Sequence, residues 1–448
     1  MEIRGQSVLL LGYGREGQTT HRFLRSRYPA LKVAIADQAA VTPIPEDPTA
    51  PCFCGPDYLS RAAEFDTIIH SPGMVMERIL PAGLRHKVKL TTATNLFFSL
   101  CPGKIVAVTG TKGKSTTSSL IATLLSGISS DVRFAGNIGK PMLSYLEGAK
   151  PETLFVLELS SFQLQDIHYS PQVAVLLNIV PEHLDHHGSY EAYATAKTAI
   201  TRFQNENDVL IHSLEYSRLR ELTKTSRAQR LCYSSNQHPA ACCWIDHDQL
   251  TCDHGSIIKR TEISLRGTGN IQNILAAVSC ALHFKVPIRT IAEKLKAFQP
   301  LEHRLELVGE FKGIRFVNDS LATIPEALAN ALSAYTGEVD TVIAGGYDRG
   351  LNLSGTGPAI LASGARNLIL FPDTGPQIWQ AVCACGGGER LRNFPVQAME
   401  EAVRIAYTVT APGKVCLMSP ASSSFNLFKD YRDRGDKFKD SVRRLGAG

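Results

Sequence analysis

The stretch Thr109-Gly-Thr-Lys-Gly-Lys-Ser-Thr-Thr117, set directly after the apolar run at residues 105–108, constrains this chain more than any other feature. β-Branched residues entering a glycine turn and then a helical segment predict a strand, a phosphate-binding loop and a helix. Gly110 and Gly113 let backbone N–H groups converge on phosphate oxygens at the positive end of that helix. Lys114 supplies a mobile cation for β- and γ-phosphates, and the Ser115 hydroxyl suits Mg²⁺. The interval Gly110-x-x-Gly113-Lys114-Ser115 is shorter than the usual glycine spacing. A turn that merely contains Gly and Lys would not require strand, glycines, Lys-Ser-Thr and helix in this order.

At 448 residues the chain exceeds one ordinary core, and about three domains are expected. No apolar stretch reaches the roughly 20 residues that span a bilayer, and residues 1–4 lead straight into a strand rather than a secretion signal. A cytoplasmic protein without membrane insertion is expected. A net charge of +5 suits anionic small molecules and argues against nucleic acid as a partner. The eleven cysteines include pairs at 52/54, 242/243 and 383/385, none spaced like a zinc knuckle. Reduced, packed thiols are the expectation.

Three segments each open with a strand, a glycine turn and a helix, which predicts an α/β fold with parallel sheets and helical crossovers. The first covers 1–92, with strands at 7–11, 32–36 and 67–70. The second, 93–299, opens on the phosphate loop and continues with strands at 153–159, 173–178 and 208–211; residues 237–264 read as irregular surface β structure. The third, 300–448, has strands near 315–317, 341–344, 368–371 and 415–418. Its helices fall at 325–334, 357–365 and 399–410, and residues 437–444 form the solvated face of a terminal helix.

In the first segment, Gly12-x-Gly14-x-x-Gly17 followed by Asp37 fits a dinucleotide fingerprint, which UDP satisfies as well as NAD does. A tight turn without ligand fits it too. Glu158 ends a strongly apolar strand, where a carboxylate needs a cation facing it; it is a candidate Mg²⁺ partner of Ser115, with a structural ion pair as the alternative. His183 could bind metal or orient a substrate carboxylate, while His186 and His187 read as surface loop. Lys197 by itself reads as a solvated lysine. Arg304 lies at a segment junction where a guanidinium can reach a phosphoryl group. Asn318-Asp319-Ser320 could meet ribose or phosphate, Arg349 a carboxylate, and residues 419–425 a second carboxylate.

Taken together these motifs resemble the Mur ligases, the ATP-dependent amino-acid ligases of peptidoglycan precursor synthesis. The resemblance runs over nearly the whole chain: the phosphate loop, Glu158-Leu-Ser-Ser-Phe-Gln163, residues 178–185, Asn270-x-x-Asn273, His303-Arg304, Asn318-Asp319-Ser320 and Ser419-Pro-Ala. Gly136-Asn137-Ile-Gly, Ser-Ser-Phe-Gln163 and residues 428–435 resemble the member that joins D-glutamate to UDP-N-acetylmuramoyl-L-alanine. The resemblance implies a Rossmann-like first domain, a central phosphate-loop ATPase domain and a Rossmann-like last domain, in a monomer. It implies ATP on Gly110, Thr111, Lys112, Gly113, Lys114, Ser115, Thr116, Asn270, Asn273, Arg304 and Asp319. Mg²⁺ is implied near Ser115, Glu158 and His183, with Lys197 matching the family's carbamylated lysine. The nucleotide sugar would meet Gly14, Arg15, Asp37 and Ser71, with Asn137, Gln163 and His183 beyond. Glutamate would meet Thr323, Arg349, Ser424 and Tyr431. Lys114, Glu158, His183, Lys197 and Arg304 are the implied catalytic set.

Several positions depart from the family pattern. Leu321 stands where a lysine is common, Ile324 for an asparagine, Arg349 for a lysine, Tyr431 for a phenylalanine and Gly269 for a histidine. All but Gly269 fall at the implied glutamate pocket, so a ligase that adds L-glutamate stays open, as does a folylpolyglutamate-type ligase. An NAD oxidoreductase would leave the phosphate loop idle, and a regulatory NTPase would leave the carboxylate-gripping turns unexplained.

Overall fold

The computed structural model describes residues 2–137 and 140–447. The chain divides into two compact units, Met1–Glu262 with Gln272–Ala297, and Ile263–Ile271 with Phe298–Gly448.

The first unit holds two parallel sheets. One comprises β1 (Ser7–Leu11), β2 (Lys32–Asp37), β3 (Cys52–Cys54), β4 (Thr67–His70) and β5 (Lys89–Thr92), in the order β3-β2-β1-β4-β5. The other comprises β6 (Lys104–Thr109), β7 (Val132–Gly136), β8 (Leu154–Glu158), β9 (Val173–Leu176), β10 (Val209–Ser213) and β11 (Gln229–Tyr233), in the order β11-β10-β9-β6-β8-β7. β1 is apolar almost throughout because both of its faces are covered: Val8 and Leu10 enter one core, Leu9 and Leu11 another. The strand order reverses beside β1 in the first sheet and beside β6 in the second, where a crevice opens at the carboxyl ends of parallel strands. Both glycine turns lie at those ends. Residues expected as irregular β structure form a small antiparallel sheet, β12 (Cys243–Asp246), β13 (Gln249–Cys252) and β14 (Gly255–Lys259).

The second unit is built on β15 (Glu306–Phe311), β16 (Ile314–Asn318), β17 (Val339–Gly346), β18 (Asn367–Asp373), β19 (Arg392–Pro395) and β20 (Val415–Met418), in the order β15-β16-β20-β17-β18-β19. Only β15 runs antiparallel to its neighbour. Val415 and Leu417 face one core, Cys416 and Met418 the other. Asn318, Gly346 and Ser419 therefore emerge together at one end of this sheet.

Every cysteine is a free thiol; Cys243, Cys252, Cys280 and Cys416 are packed in the interior as expected, whereas Cys54, Cys383 and Cys385 are exposed. No helix among the described residues is long and apolar enough to cross a membrane.

Candidate active site

β6 delivers the chain into the phosphate loop, and Gly113, at φ 88°, starts the helix Lys114–Leu125. A Cβ on Gly113 would lie 2.1 Å from Asn273 Oδ1, so only glycine fits this left-handed, crowded turn. Asn273 Oδ1 also accepts from Thr117 Oγ1 at 3.2 Å, which fixes the helix Thr268–His283 to the loop. On the other side, Asn178 clamps the loop: its Oδ1 accepts from Lys112 N at 3.0 Å and its Nδ2 donates to Lys112 O at 3.1 Å. Thr111 Oγ1 bonds Val180 O at 3.1 Å and Tyr193 OH at 3.0 Å. The loop is thus anchored by its neighbours on both sides.

Two ammonium groups meet at one carbonyl. Lys114 Nζ donates to Gly110 O and Thr111 O, each at 3.0 Å, and Lys197 Nζ donates to Gly110 O at 2.8 Å. Lys197 is not the solvated lysine its local sequence suggests. It is 2% exposed and its Nζ lies 4.8 Å from the centre of the Tyr193 ring. Burial, reinforced by the positive charge of Lys114, pushes its pKa down to about 7, against the pull of Glu182 and Glu158. Tyr193 precedes Lys197 by one helical turn in Tyr190–Thr198, the spacing that brings them together; that spacing was the signal for Tyr193, which sequence reasoning passed over.

Glu158 ends β8 beside β6, opposite Val108. It is 2% exposed; Oε1 accepts from Asn137 Nδ2 at 3.0 Å, while Oε2 is buried with no hydrogen-bond partner among the described residues. An orphan carboxylate oxygen is costly without a cation. Ile138 and Gly139, which complete the Gly136–Gly139 motif, lie outside the described residues. Gln163 is 5% exposed and closes a capping box with Ser160, its Oε1 accepting from Ser160 N at 3.1 Å. His183 sits at φ 54° with its side chain 48% exposed and its ring 5.1 Å from Phe162. His186 and His187 are not loose surface residues: both rings pack on Phe162 at 4.7 and 5.6 Å. Burial and neighbouring histidines push the His187 pKa down to about 4.

In the first sheet, Gly12 takes φ 88°, and a Cβ there would meet Ser71 Oγ at 2.4 Å. A Cβ on Gly17 would strike Gly12 O at 2.3 Å, whereas one on Gly14 would meet nothing within 4 Å. The middle glycine alone faces open space, as a turn that admits a diphosphate against its backbone should. Arg15 is exposed at the helix start. Asp37 is already engaged, with Oδ2 accepting from Tyr13 N at 2.7 Å and Oδ1 from Ala39 N at 2.9 Å.

In the second unit, Asp319 is 8% exposed, accepts from Ser419 Oγ at 2.8 Å and Leu305 N at 3.2 Å, and is pushed up to about pKa 7 by burial. Thr323 and Arg349 come together, Arg349 Nη2 donating to Thr323 O at 3.3 Å. The residue that ties this region together lies within the 428–435 stretch, and no local feature of the sequence marks it. Arg434 is fully buried; its guanidinium donates to Ser320 Oγ at 3.1 Å, Ser320 O at 2.8 Å, Ser422 O at 3.0 Å and Ser423 O at 3.1 Å. Ser320 Oγ in turn donates to Tyr431 O at 2.7 Å. One planar fork thus ties the loops that carry Thr323 and Ser424 to the start of the helix Tyr431–Gly446.

Residues 108–281 match the family model described as the Mur ligase middle domain. The UDP-N-acetylmuramoylalanine–D-glutamate ligase of Acetivibrio thermocellus is 35% identical over 404 residues, 88% of this chain and 86% of that one. Its namesake in Geobacillus kaustophilus is 33% identical over 449 residues, covering 98% and 97%. Among solved structures, UDP-N-acetylmuramate–alanine ligase of Thermotoga maritima superposes with a TM-score of 0.60 at 16% identity, over 98% of this chain and 100% of that one. MurF ligase of Thermotoga maritima in complex with ADP gives 0.61 at 17% identity, over 99% and 96%. These two establish the fold, and the two relatives establish the lineage: the chain belongs to the Mur ligase family.

Proposed function

We propose that this chain is the ATP-dependent ligase that joins D-glutamate to UDP-N-acetylmuramoyl-L-alanine, the activity its relatives' names describe. The observation that supports it most is the convergence of Lys114 and Lys197 on Gly110 O, beside a buried glutamate with one unpaired oxygen.

The chemistry requires activation, because a carboxylate resists attack by an amine. Transfer of the γ-phosphoryl group of ATP to the alanyl carboxylate gives an acyl phosphate; the glutamate amine attacks it, and phosphate leaves through a tetrahedral intermediate. Negative charge grows on oxygen throughout, so fixed cations lower the barrier. Lys114, now resting on its own loop carbonyls, is within reach of phosphates cradled by the loop from Gly110 to Thr116. The orphan Oε2 of Glu158 and the Ser115 hydroxyl fit a hard cation, with His183 and, once carbamylated, Lys197 as further ligands. Mg²⁺ bound there would neutralise phosphoryl oxygens. Among the described residues, no cage of three or more His, Cys, Asp or Glu side chains exists. Mg²⁺ commonly takes only one or two carboxylates together with nucleotide phosphates. A pKa near 7 leaves Lys197 partly uncharged at neutral pH, the form that CO₂ converts to a carbamate.

The rest of the assignment follows the resemblance. Asn270, Asn273, Arg304 and Asp319 contact ATP; Gly14, Arg15, Asp37 and Ser71, then Asn137, Gln163 and His183, receive the nucleotide sugar; Thr323, Arg349, Ser424 and Tyr431 receive glutamate. Residues 1–92, 93–299 and 300–448 divide these tasks in a cytoplasmic monomer. The test is incubation with UDP-N-acetylmuramoyl-L-alanine, ATP, Mg²⁺ and each glutamate enantiomer, read by product mass. Product with D-glutamate and stoichiometric ADP is expected. Product with L-glutamate alone would overturn the acceptor's identity, and none with either would remove glutamate.

A further inference from the structure

Behind the first glycine turn lies a buried polar chain that the assigned roles leave unused. Tyr13, inside the turn, is 3% exposed, and His21 on the following helix is fully buried. Tyr13 OH lies 2.7 Å from His21 Nδ1, and Ile44 N donates to the same phenol oxygen at 3.1 Å. His21 Nε2 lies 3.2 Å from Asp47 Oδ2, which also pairs with Arg25 Nε at 2.5 Å.

The directions of these bonds follow from donor and acceptor capacity. Ile44 N–H occupies a lone pair of the phenol oxygen, so the phenol proton points at His21 Nδ1. That nitrogen must then accept, which puts the imidazole proton on Nε2, aimed at Asp47. Burial, which lowers the His21 pKa, favours this neutral ring. The phenol oxygen of Tyr13 and both ring nitrogens of His21 are thereby satisfied in one neutral arrangement.

The chain spans two things the fold must bring together. Residues 38–51 form no helix or strand between β2 and β3 and contain four prolines; each proline removes a backbone donor, so side chains take a larger share in fixing their course. Ile44 and Asp47 belong to this loop. Its first residues follow Asp37, whose Oδ2 holds Tyr13 N at 2.7 Å. The Tyr13 backbone therefore fixes one end of the loop while its side chain fixes the middle.

We propose that Tyr13, His21 and Asp47 are a positioning relay that holds the loop at residues 38–51 against the glycine turn and thereby sets affinity for the nucleotide sugar. The inference rests on the reading that this turn receives the uridine diphosphate group.

Steady-state kinetics of Tyr13→Phe, Asp47→Ala and Asp47→Asn test it, with Gly14→Val as the control on the underlying reading. Gly14 has extended backbone and open space around its Cβ position, so valine folds there yet occupies the ground a diphosphate needs. Tyr13→Phe keeps the ring and removes one oxygen, leaving Ile44 N and His21 Nδ1 unpaired. It raises KM for UDP-N-acetylmuramoyl-L-alanine about tenfold, while KM for ATP and glutamate and kcat stay within about twofold. Asp47→Ala, nearer the surface, does the same if Tyr13→Phe fails to fold. Asp47→Asn recovers most of the affinity because its amide oxygen still accepts from Nε2–H. The relay is overturned if Gly14→Val weakens nucleotide-sugar binding while Tyr13→Phe and Asp47→Ala do not. It is equally overturned if those variants raise all three KM values together or if asparagine fails to rescue. If Gly14→Val leaves KM unchanged, the assignment of the turn itself falls.

Discussion

Arg434→Met is expected to cost little stability and most of the activity, and the structure supplies the arithmetic. Removing the guanidinium leaves the carbonyls of Ser320, Ser422 and Ser423 without that donor. Ser423 O keeps a second donor, Tyr347 N at 2.9 Å, so the two carbonyls of Ser320 and Ser422 are orphaned, at about 1–3 kcal/mol each or about 4 kcal/mol together. Against this stands the cost of burying the cation, which lowers its pKa from 12.5 to about 9 despite the nearby Asp319. At about 1.4 kcal/mol per pKa unit, relief of that burden returns about 5 kcal/mol. The two terms nearly cancel, leaving a net change within about 1 kcal/mol, or about 2–4 °C in Tm. The loops of Ser320 and Ser422–Ser423 nevertheless lose their common anchor. A displacement of about 1 Å at a reacting group costs about a hundredfold in rate. Calorimetry and glutamate-saturation kinetics on the same preparation check both halves. Arg434→Lys fails as well, because an ammonium cannot reproduce the fork. A Tm loss beyond about 10 °C, or unchanged kcat/KM for glutamate in a folded Arg434→Met, refutes the reasoning.

Lys197 carries a lowered pKa of about 7, so its CO₂-reactive form grows as pH rises through that value; a carbamate signal from ¹³C-bicarbonate should appear over the same range and vanish in Lys197→Arg, with kcat falling about a hundredfold or more. Glu2, 4% exposed, receives hydrogen bonds from Tyr169 at 2.9 Å and from His168 and Thr91, and its pKa falls to about 2 even though burial alone would raise it. Because the folded pKa lies below the unfolded one, its stabilisation is complete above about pH 4.5 and disappears as pH falls toward 2; Glu2→Gln should flatten Tm against pH in that window. Gly113→Ala puts a methyl group 2.1 Å from Asn273 Oδ1 at a positive φ, and nucleotide titration should show ATP affinity reduced more than about tenfold.

The strands found from sequence and those missed divide by position in the sheet. β1, β2, β4, β6, β8, β9, β10, β16, β17, β18 and β20 were all expected, with ends shifted by up to two residues, and each lies inside its sheet. β3, β5, β7, β11, β15 and β19 were not expected, and each is an outer strand. An inner parallel strand is covered on both faces and must be a continuous apolar run, which is visible in one dimension. An outer strand such as Arg392–Pro395 or Glu306–Phe311 is half exposed, so its residues satisfy no strong pattern.

The same division holds at the site. The phosphate loop was legible because its chemistry is contiguous: glycines, Lys114 and Ser115 must follow one another to surround a phosphate. The buried state of Lys197, the orphan oxygen of Glu158 and the fork of Arg434 were not. Gly110 and Lys197 are far apart along the chain, as are Ser320 and Arg434, and no local composition marks such pairs. Local sequence determined which loop has the shape to cradle a phosphate and which strands form the cores; tertiary packing alone decided which charged groups lost water, because it buries lysine, glutamate and arginine side chains against residues far away along the chain.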